Sequence, residues 1–360
     1  MTVPVVQLPP ARGQDWRRWR QGLFGTPLNG AVTLATIAFL VWVVPPFVRW
    51  AVLDATWTGS ADSCKANTGA CWAFVTAKLN FILYAFYPPA LHWRPMLVTI
   101  LLLGLLVLTA LPRFWRPATL LLWVAVPVVC WLLLAGTVIG QTVPSNQWGG
   151  LPVTLLVALV CFGLAIPLAI VLALARQSSM GGLRTMAVVF IEVMRGTPMV
   201  AILYIAMLIL PMMVPGGQLI DKLARAMILI TLFWSAYVAE VVRAGLQAIP
   251  AGQYEAARAL GLGYWRIMRL VVLPQALRLV IPALVNLAIG FFLATSLLAV
   301  IGIFDLLNAA KNAAVDPNWL GFYDESYLVA ASIYFVICLI GSRYSLWLES
   351  RLRRDHGVQR

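Results

Sequence analysis

Acidic side chains are scarce in this sequence, 13 Asp and Glu among 360 residues against 26 Lys and Arg, and histidine is scarcer still, with only His92 and His356. Two histidines so placed, one at the edge of an apolar run and one near the C-terminal end, cannot complete a Ser/His/Asp or Cys/His catalytic set. No Cys/His cluster has metal-ligand spacing, so no metal is expected. A GxxxxGK[ST] run is missing, and without its backbone amides, Lys and hydroxyl nothing here would cradle a nucleotide. The chain is therefore not expected to be an enzyme or to hold a cofactor. Of the five cysteines, Cys130, Cys161 and Cys338 fall in apolar runs as small core residues. Cys64 and Cys71 lie together in a polar stretch and are a candidate disulfide if that stretch faces an oxidising compartment.

What fills the sequence instead is hydrocarbon. Hydrophobic residues make up 62% and charged residues 11%, with a mean hydropathy of +0.88, the signature of an integral membrane protein. Apolar windows of about 17 to 25 residues, enough to cross roughly 30 Å as helix, recur along the chain. They are continuous rather than alternating, which excludes a β-barrel. The expected fold class is an all-α polytopic membrane protein with about eight transmembrane helices, at 28–48, 95–111, 118–139, 151–175, 185–213, 223–248, 276–303 and 327–348.

Most Lys and Arg fall in one set of alternate loops and in both end segments, for example Arg12, Arg17, Arg113, Arg116, Arg176, Arg184, Arg258, Arg266, Arg269, Arg351 and Arg360. Short cytoplasmic loops retain such residues, so both termini are expected in the cytoplasm. A net charge of +13 spread over same-side loops reflects topology rather than nucleic-acid binding. The start, MTVPVVQLPPARGQDWRRWR, lacks an apolar segment with a cleavage site, which argues against a removed signal peptide.

These features divide the chain into a cytoplasmic tail (1–27), three spans with one long loop (28–140, loop 49–94), a five-span core (151–348) and a short cytoplasmic tail (349–360). The polar, turn-rich QTVPSNQWGG at 141–150 marks the boundary. Inside the long loop, CWAFVTAKLNFILYAFYPPALHW carries Lys78 and Asn80 and is a poor span. It is expected as an interfacial or re-entrant helix ended by Pro88 and Pro89.

The loop at 250–275, AGQYEAARALGLGYWRIMRLVVLP after Pro250, is polar where its surroundings are not. Its first part favours helix, Gly261 and Gly263 should break the path, and an amphipathic element should then run to Pro274. Such a helix lies on the membrane surface, with Glu255 and Arg258 outward and Ala256, Ala257 and Ala259 allowing close approach. From the residues alone it either rests on lipid headgroups or docks a partner.

The EAA of Glu255 to Ala257, then Gly261, Leu273 and Pro274, resembles the EAA loop of ATP-binding-cassette (ABC) importer permeases. EVMRGTPMV (192–200), SAYVAEVVRAGLQAIPAGQYEAARALG (235–261) and TSLLAVIGIFDLL (295–307) are similar to the polar amino acid permeases, and the three-span start is similar to the long permease of general L-amino acid importers. The resemblance implies a five-helix type I importer core in a bacterial inner membrane, with Glu255, Ala256, Ala257, Arg258, Gly261 and Pro274 forming the coupling segment. The implied partners are a cytoplasmic ABC ATPase in two copies, which binds the ATP and Mg, a second permease that is a relative or a copy of this chain, a periplasmic substrate-binding protein and an L-amino acid.

Ionisable groups within spans are costly and face cavities or partners. Glu192 and Arg195, and Glu240 with Arg243 three residues on, are either structural ion pairs or lining of the substrate route. Thr295 and Ser296 either line it too or bond back to their own helix. Leu293 and Ala294 stand where the family often has a charged or amide residue, which moves the main amino acid site toward the second permease. The alternative function is an ion-gradient-driven transporter or channel, which requires acidic or broken-helix sites at the bilayer midplane.

Overall fold

The computed structural model describes residues 15–138, 140–213 and 221–357; Arg12 and Arg360, part of the charge asymmetry, lie outside the described residues. One compact unit runs to Thr76 and a second begins at Ala77.

In the first unit, α1 (Asp15–Phe24) falls within the stretch expected as a tail. It is followed by α2 (Pro27–Val48), which starts with Pro27 inside a Thr26 cap, the side-chain oxygen accepting from the Asn29 amide at 3.1 Å. Pro45 and Pro46 remove two helical donors near its end, and the chain passes into a π-helical turn at Arg49–Leu53. None of α2 is buried, as suits a span surrounded by lipid tails. A short α3 (Ala61–Lys65) leads to the disulfide between Cys64 and Cys71, whose Cα atoms are 5.5 Å apart. The Trp72 indole donates to the Ala51 carbonyl at 2.7 Å and ties that loop to the end of the span.

The helix α4 (Trp72–Tyr84) begins in this unit and continues into the next. At 13 residues it is about 20 Å long, too short to cross the hydrocarbon. It stops before the prolines expected to end it. Ala85 adopts a left-handed conformation (φ 51°), and Pro88 and Pro89 then turn the chain through a 3-10 turn at Pro89–Leu91.

The second unit contains α5 (Trp93–Ala110), α6 (Pro117–Ala135), α7 (Gly150–Arg176), α8 (Gly181–Gly196), α9 (Met199–Tyr204) and α10 (Leu210–Met213). It continues with α11 (Lys222–Gln247), α12 (Ala251–Ala259), α13 (Tyr264–Ile267), α14 (Leu273–Ala294), α15 (Leu306–Ala313) and α16 (Tyr323–Gly357). A two-residue strand β1 (Phe304–Asp305) precedes α15.

Seven helices among the described residues are long and apolar enough to cross a membrane, and a bent pair brings the number to eight. That pair corrects the expectation of a continuous span at 185–213. Its two halves, Gly181–Gly196 and Met199–Met213, meet at 102°. Pro198 has no amide to donate, and Thr197 before it is held extended (φ −97°, ψ 135°). A second correction concerns Pro274, which does not end an element. Helix runs from Tyr264 through Ile301 over 38 residues, because a π-helical turn at Met268–Val272 absorbs the donor that Pro274 lacks. The last helix likewise runs past 348, to Gly357.

Small residues let the core helices close up. On α7, Ala165, Ala169 and Ala173 recur every four residues and are fully buried; Ala169 and Ala173 pack with Ala236 and Ala239 of α11. Gly245 of α11 crosses α14 so closely that a Cβ would lie 2.8 Å from the Ala276 carbonyl oxygen and 2.6 Å from a Val280 methyl. Gly245→Val should therefore destabilise the detergent-solubilised protein by about 1–3 kcal/mol, read as a fall in its unfolding midpoint.

The helices sort the bundle into two ends. The starts of α7, α11, α15 and α16 meet at one: Ser145 donates to Asp221, Lys222 Nζ to the Gly302 carbonyl at 3.0 Å, and Ser326 to the Ala310 carbonyl. Asp305 is the buried centre of this end. Its carboxylate caps α15 by accepting from the Leu307 and Asn308 amides, both at 3.1 Å, and accepts from the Tyr334 hydroxyl at 3.2 Å. Burial pushes its pKa up to about 6, against those hydrogen bonds. The native state thus holds the Asp305 proton at a pH where the unfolded chain has released it, so stability present below about pH 4 is lost as pH rises to about 6. Asp305→Asn, which retains a capping oxygen, should gain on the wild type by the order of 3 kcal/mol across that window. Thermal unfolding of both proteins at pH 4 and pH 7 measures it.

Candidate coupling and gating site

At the opposite end, where α7 and α11 finish and α14 begins, one carboxylate gathers three guanidiniums. Glu240 on α11 is paired through Oε1 with Arg176 at the end of α7. Its Oε2 accepts from Arg243 Nε at 3.0 Å and Nη2 at 2.8 Å, and lies 3.9 Å from Arg195 at the end of α8. Arg176 also reaches Glu192 of α8 at 3.2 Å. Of the two pairs proposed from the sequence, Glu240 forms its bond with Arg243, whereas Glu192 bonds Arg176 and Arg195 faces Glu240, so these two meet other partners and not each other. Arg176, which the sequence presented only as a loop charge, bonds both carboxylates and draws the four residues into one network. Its signal was position: it closes the α7 span on the same side as Glu192 and Glu240. The Glu240 side chain is only 15% exposed. Arg195 also rests over the Tyr237 ring, 5.7 Å from its centre, and lies two residues before the break at Thr197. The network therefore binds α7, α8 and α11 at the hinge of the bent pair.

Arg243 carries the network outward by donating to Gln247 at 2.7 Å. Gln247 lines a groove of about 450 Å³ with Gln177, Tyr254, Glu255 and Arg258, at the root of α12. This short helix stands off the bundle with Glu255, Ala256, Arg258 and Ala259 exposed. Ala257 differs from its neighbours. It is buried in the core with Leu246, Ile267 and Val272, so it seats the helix rather than presenting it.

The C-terminal end of α12 is a Schellman turn. The Gly261 amide donates to the Arg258 carbonyl at 2.9 Å and the Leu262 amide to the Ala257 carbonyl at 3.2 Å. Gly261 is left-handed (φ 75°), with open space where a side chain would stand. Pro274 is exposed at the first turn of α14.

Thr295 and Ser296 lie at the other end of α14, apart from this cluster. Thr295 is buried and donates to the Phe292 carbonyl at 2.6 Å, and Ser296 is half-buried and donates to the Leu293 carbonyl at 2.8 Å. Sequence reasoning missed a buried cation, Arg225, whose Nη1 reaches the Ala206 and Met207 carbonyls at 3.3 and 3.4 Å. The π-helical turn at Ile205–Ile209 alters the backbone bonding there, and the arginine bonds its carbonyls. Among the described residues no group of His, Cys, Asp and Glu could hold a metal.

Residues 165–354 match the family described as "Binding-protein-dependent transport system inner membrane component". The chain is 44% identical to the inner membrane amino-acid ABC transporter permease protein YhdY of Escherichia coli (strain K12), over 98% of both chains. It is 34% identical, over 94% of both, to the glutamate/glutamine/aspartate/asparagine transport system permease protein BztC of Rhodobacter capsulatus. A solved structure titled "Crystal structure of an amino acid ABC transporter with histidines" is 34% identical, covering 57% of this chain and 92% of that one, with a TM-score of 0.49. The alternative of an ion-gradient carrier is thereby set aside, and the chain belongs to the binding-protein-dependent inner membrane components, as an amino-acid ABC importer permease.

Proposed function

We propose that this chain passes L-amino acids across the inner membrane as one half of a transporter whose energy comes from ATP hydrolysed, with Mg, on separate cytoplasmic ATPase subunits. The arginine-rich end of the bundle, with Arg113, Arg116, Arg176, Arg184, Arg195, Arg243, Arg258, Arg266, Arg269 and Arg278, is then cytoplasmic, as are both termini. The opposite end receives a periplasmic binding protein. A second permease, related or identical, completes the pathway.

The observation that carries this reading is α12, a polar helix held off the cytoplasmic end by one buried alanine and a Schellman turn, beside an open groove. In it Glu255, Ala256, Arg258 and Gly261 meet the ATPase, Ala257 seats the helix, and Pro274 with its π-helical turn joins it to α14. Closure of the ATPase pair moves α12, and Arg243 and Gln247 pass that movement to Glu240. Glu192, Arg195, Glu240 and Arg243 act as the inner gate of the substrate route. Thr295 and Ser296 line it only if their helix turns or their back-bonds open. The test is reconstitution: ATP hydrolysis by the assembled complex should rise several-fold when amino acid and binding protein are added. Hydrolysis indifferent to both would refute the proposal.

A further inference from the structure

Residues 77–91 take no part in the mechanism above, yet they are locked to the end of the bundle that carries Asp305. Lys78 Nζ donates to Asp316 Oδ2 at 2.7 Å, and this bond holds the Asp316 carboxyl below the usual carboxylate range. The Phe86 ring meets Phe304 edge-on, 4.8 Å between centres. The Tyr87 hydroxyl donates to the Leu134 carbonyl at 3.0 Å.

The backbones interlock as well. A Cβ on Gly150 (φ 68°) would overlap the Leu83 carbonyl, and one on Gly149 would stand 2.5 Å from the Ala85 Cβ and 2.6 Å from the Phe304 carbonyl oxygen. Gly149 and Gly150 are bridged to Phe304 and Asp305, and the Leu306 amide donates to Thr154 of α7 at 2.9 Å. At the centre of this joint Ala85 holds a left-handed conformation (φ 51°), which a non-glycine residue adopts only when its surroundings impose it. Phe304 thus touches Phe86 just beyond α4 and Gly149 at the start of α7, and leads directly into α15.

We propose that residues 77–91 are a fixed brace across the outer mouth of the permease, holding the first turn of α7 against α15 through the whole cycle, so that the two move as one body and the bundle does not open outward before the binding protein acts on it. The proposal rests on the orientation and coupling given above. It assigns the brace as static because its inner contacts are backbone interlocks and the buried Tyr87 ring, while the half-exposed Phe86 ring and the Lys78–Asp316 bridge, with side chains 20% and 30% exposed, form its outer rim.

Two experiments on the whole transporter in proteoliposomes test it. Lys78→Glu places like charges together at the rim, and Phe86→Ala removes the ring from Phe304. Each should raise ATP hydrolysis without binding protein at least threefold, and the charge swap Lys78→Asp with Asp316→Lys should return it to within twofold of wild type. Unchanged basal hydrolysis in both single variants overturns the brace. In a Cys338→Ser background, Lys78→Cys and Asp316→Cys joined by a short bismaleimide should leave uptake within twofold of the unjoined pair. A tenfold arrest, reversed in the unjoined control, would make the segment a moving lid instead. Ala85→Cys decides the seating without any ATPase: a membrane-impermeant maleimide should label it at under a tenth of the rate of Phe86→Cys, and comparable rates contradict the proposal. Failure of the coupling mechanism would appear elsewhere, as an unmodified complex whose hydrolysis ignores the binding protein.

Discussion

Gly261→Asp is expected to cut amino acid uptake at least tenfold while leaving the amount of inserted, folded protein unchanged. The residue sits left-handed at the end of α12 with nothing near its absent side chain, so the cost to the fold is the conformational one alone, about 1–2 kcal/mol. The cost to docking is larger in kind. A carboxylate would stand at the turn that sets the angle of α12, and the Schellman bonds from the Gly261 and Leu262 amides would no longer be made without strain. Uptake and thermal unfolding, measured on the same preparation, separate the two. Loss of uptake in step with an unfolding midpoint lowered by ten degrees or more would make Gly261 a folding residue and not a coupling one.

Glu240→Gln carries the largest effect expected inside the bundle. It removes the one carboxylate shared by Arg176, Arg195 and Arg243 and leaves their charges facing one another in a place with little water. Breaking a buried pair from one side costs about 3–5 kcal/mol, which the partial exposure here reduces to roughly 2–3 kcal/mol. The unfolding midpoint should fall accordingly, and uptake should fall further than the loss of folded protein explains. Combining Glu240→Gln with Arg243→Gln should recover part of the stability, because the second change removes the guanidinium that was doubly bonded to the lost carboxylate. Strict additivity of the two would show that Glu240 is not the hub.

The span count and the short exposed helix at 251–259 were legible in the sequence because each rests on local patterning. Long apolar runs report spans, and an Ala-rich stretch ending in Gly261 reports a short capped helix. What escaped depended on how the backbone bends around a proline or on neighbours remote in the chain. Pro274 looks like a terminator, yet the π-helical turn at Met268–Val272 carries the helix through it. Pro198 looks like one more tolerated proline, yet the extended Thr197 before it turns the path by 102°. Ala256 and Ala257 look equivalent, and only tertiary packing sends the second inward. Arg176 and Glu240 are 64 residues apart, and no spacing rule joins them. Thr295 and Ser296 were legible as hydroxyls that either line the route or bond back to their own helix, and the structure has both bonded to carbonyls three residues back, at the start of the 3-10 turn Thr295–Ile301.

The most direct measurement is disulfide or maleimide cross-linking from Glu255→Cys in inside-out and right-side-out membrane vesicles that contain the whole transporter. If α12 receives work from the ATPase, this position should join to the nucleotide-binding subunit in high yield, with a yield that changes when a non-hydrolysable ATP analogue is added, and it should be labelled by an impermeant reagent only in inside-out vesicles. Labelling of position 255 from the periplasmic side, or the absence of any link to the ATPase in an active complex, would contradict the account.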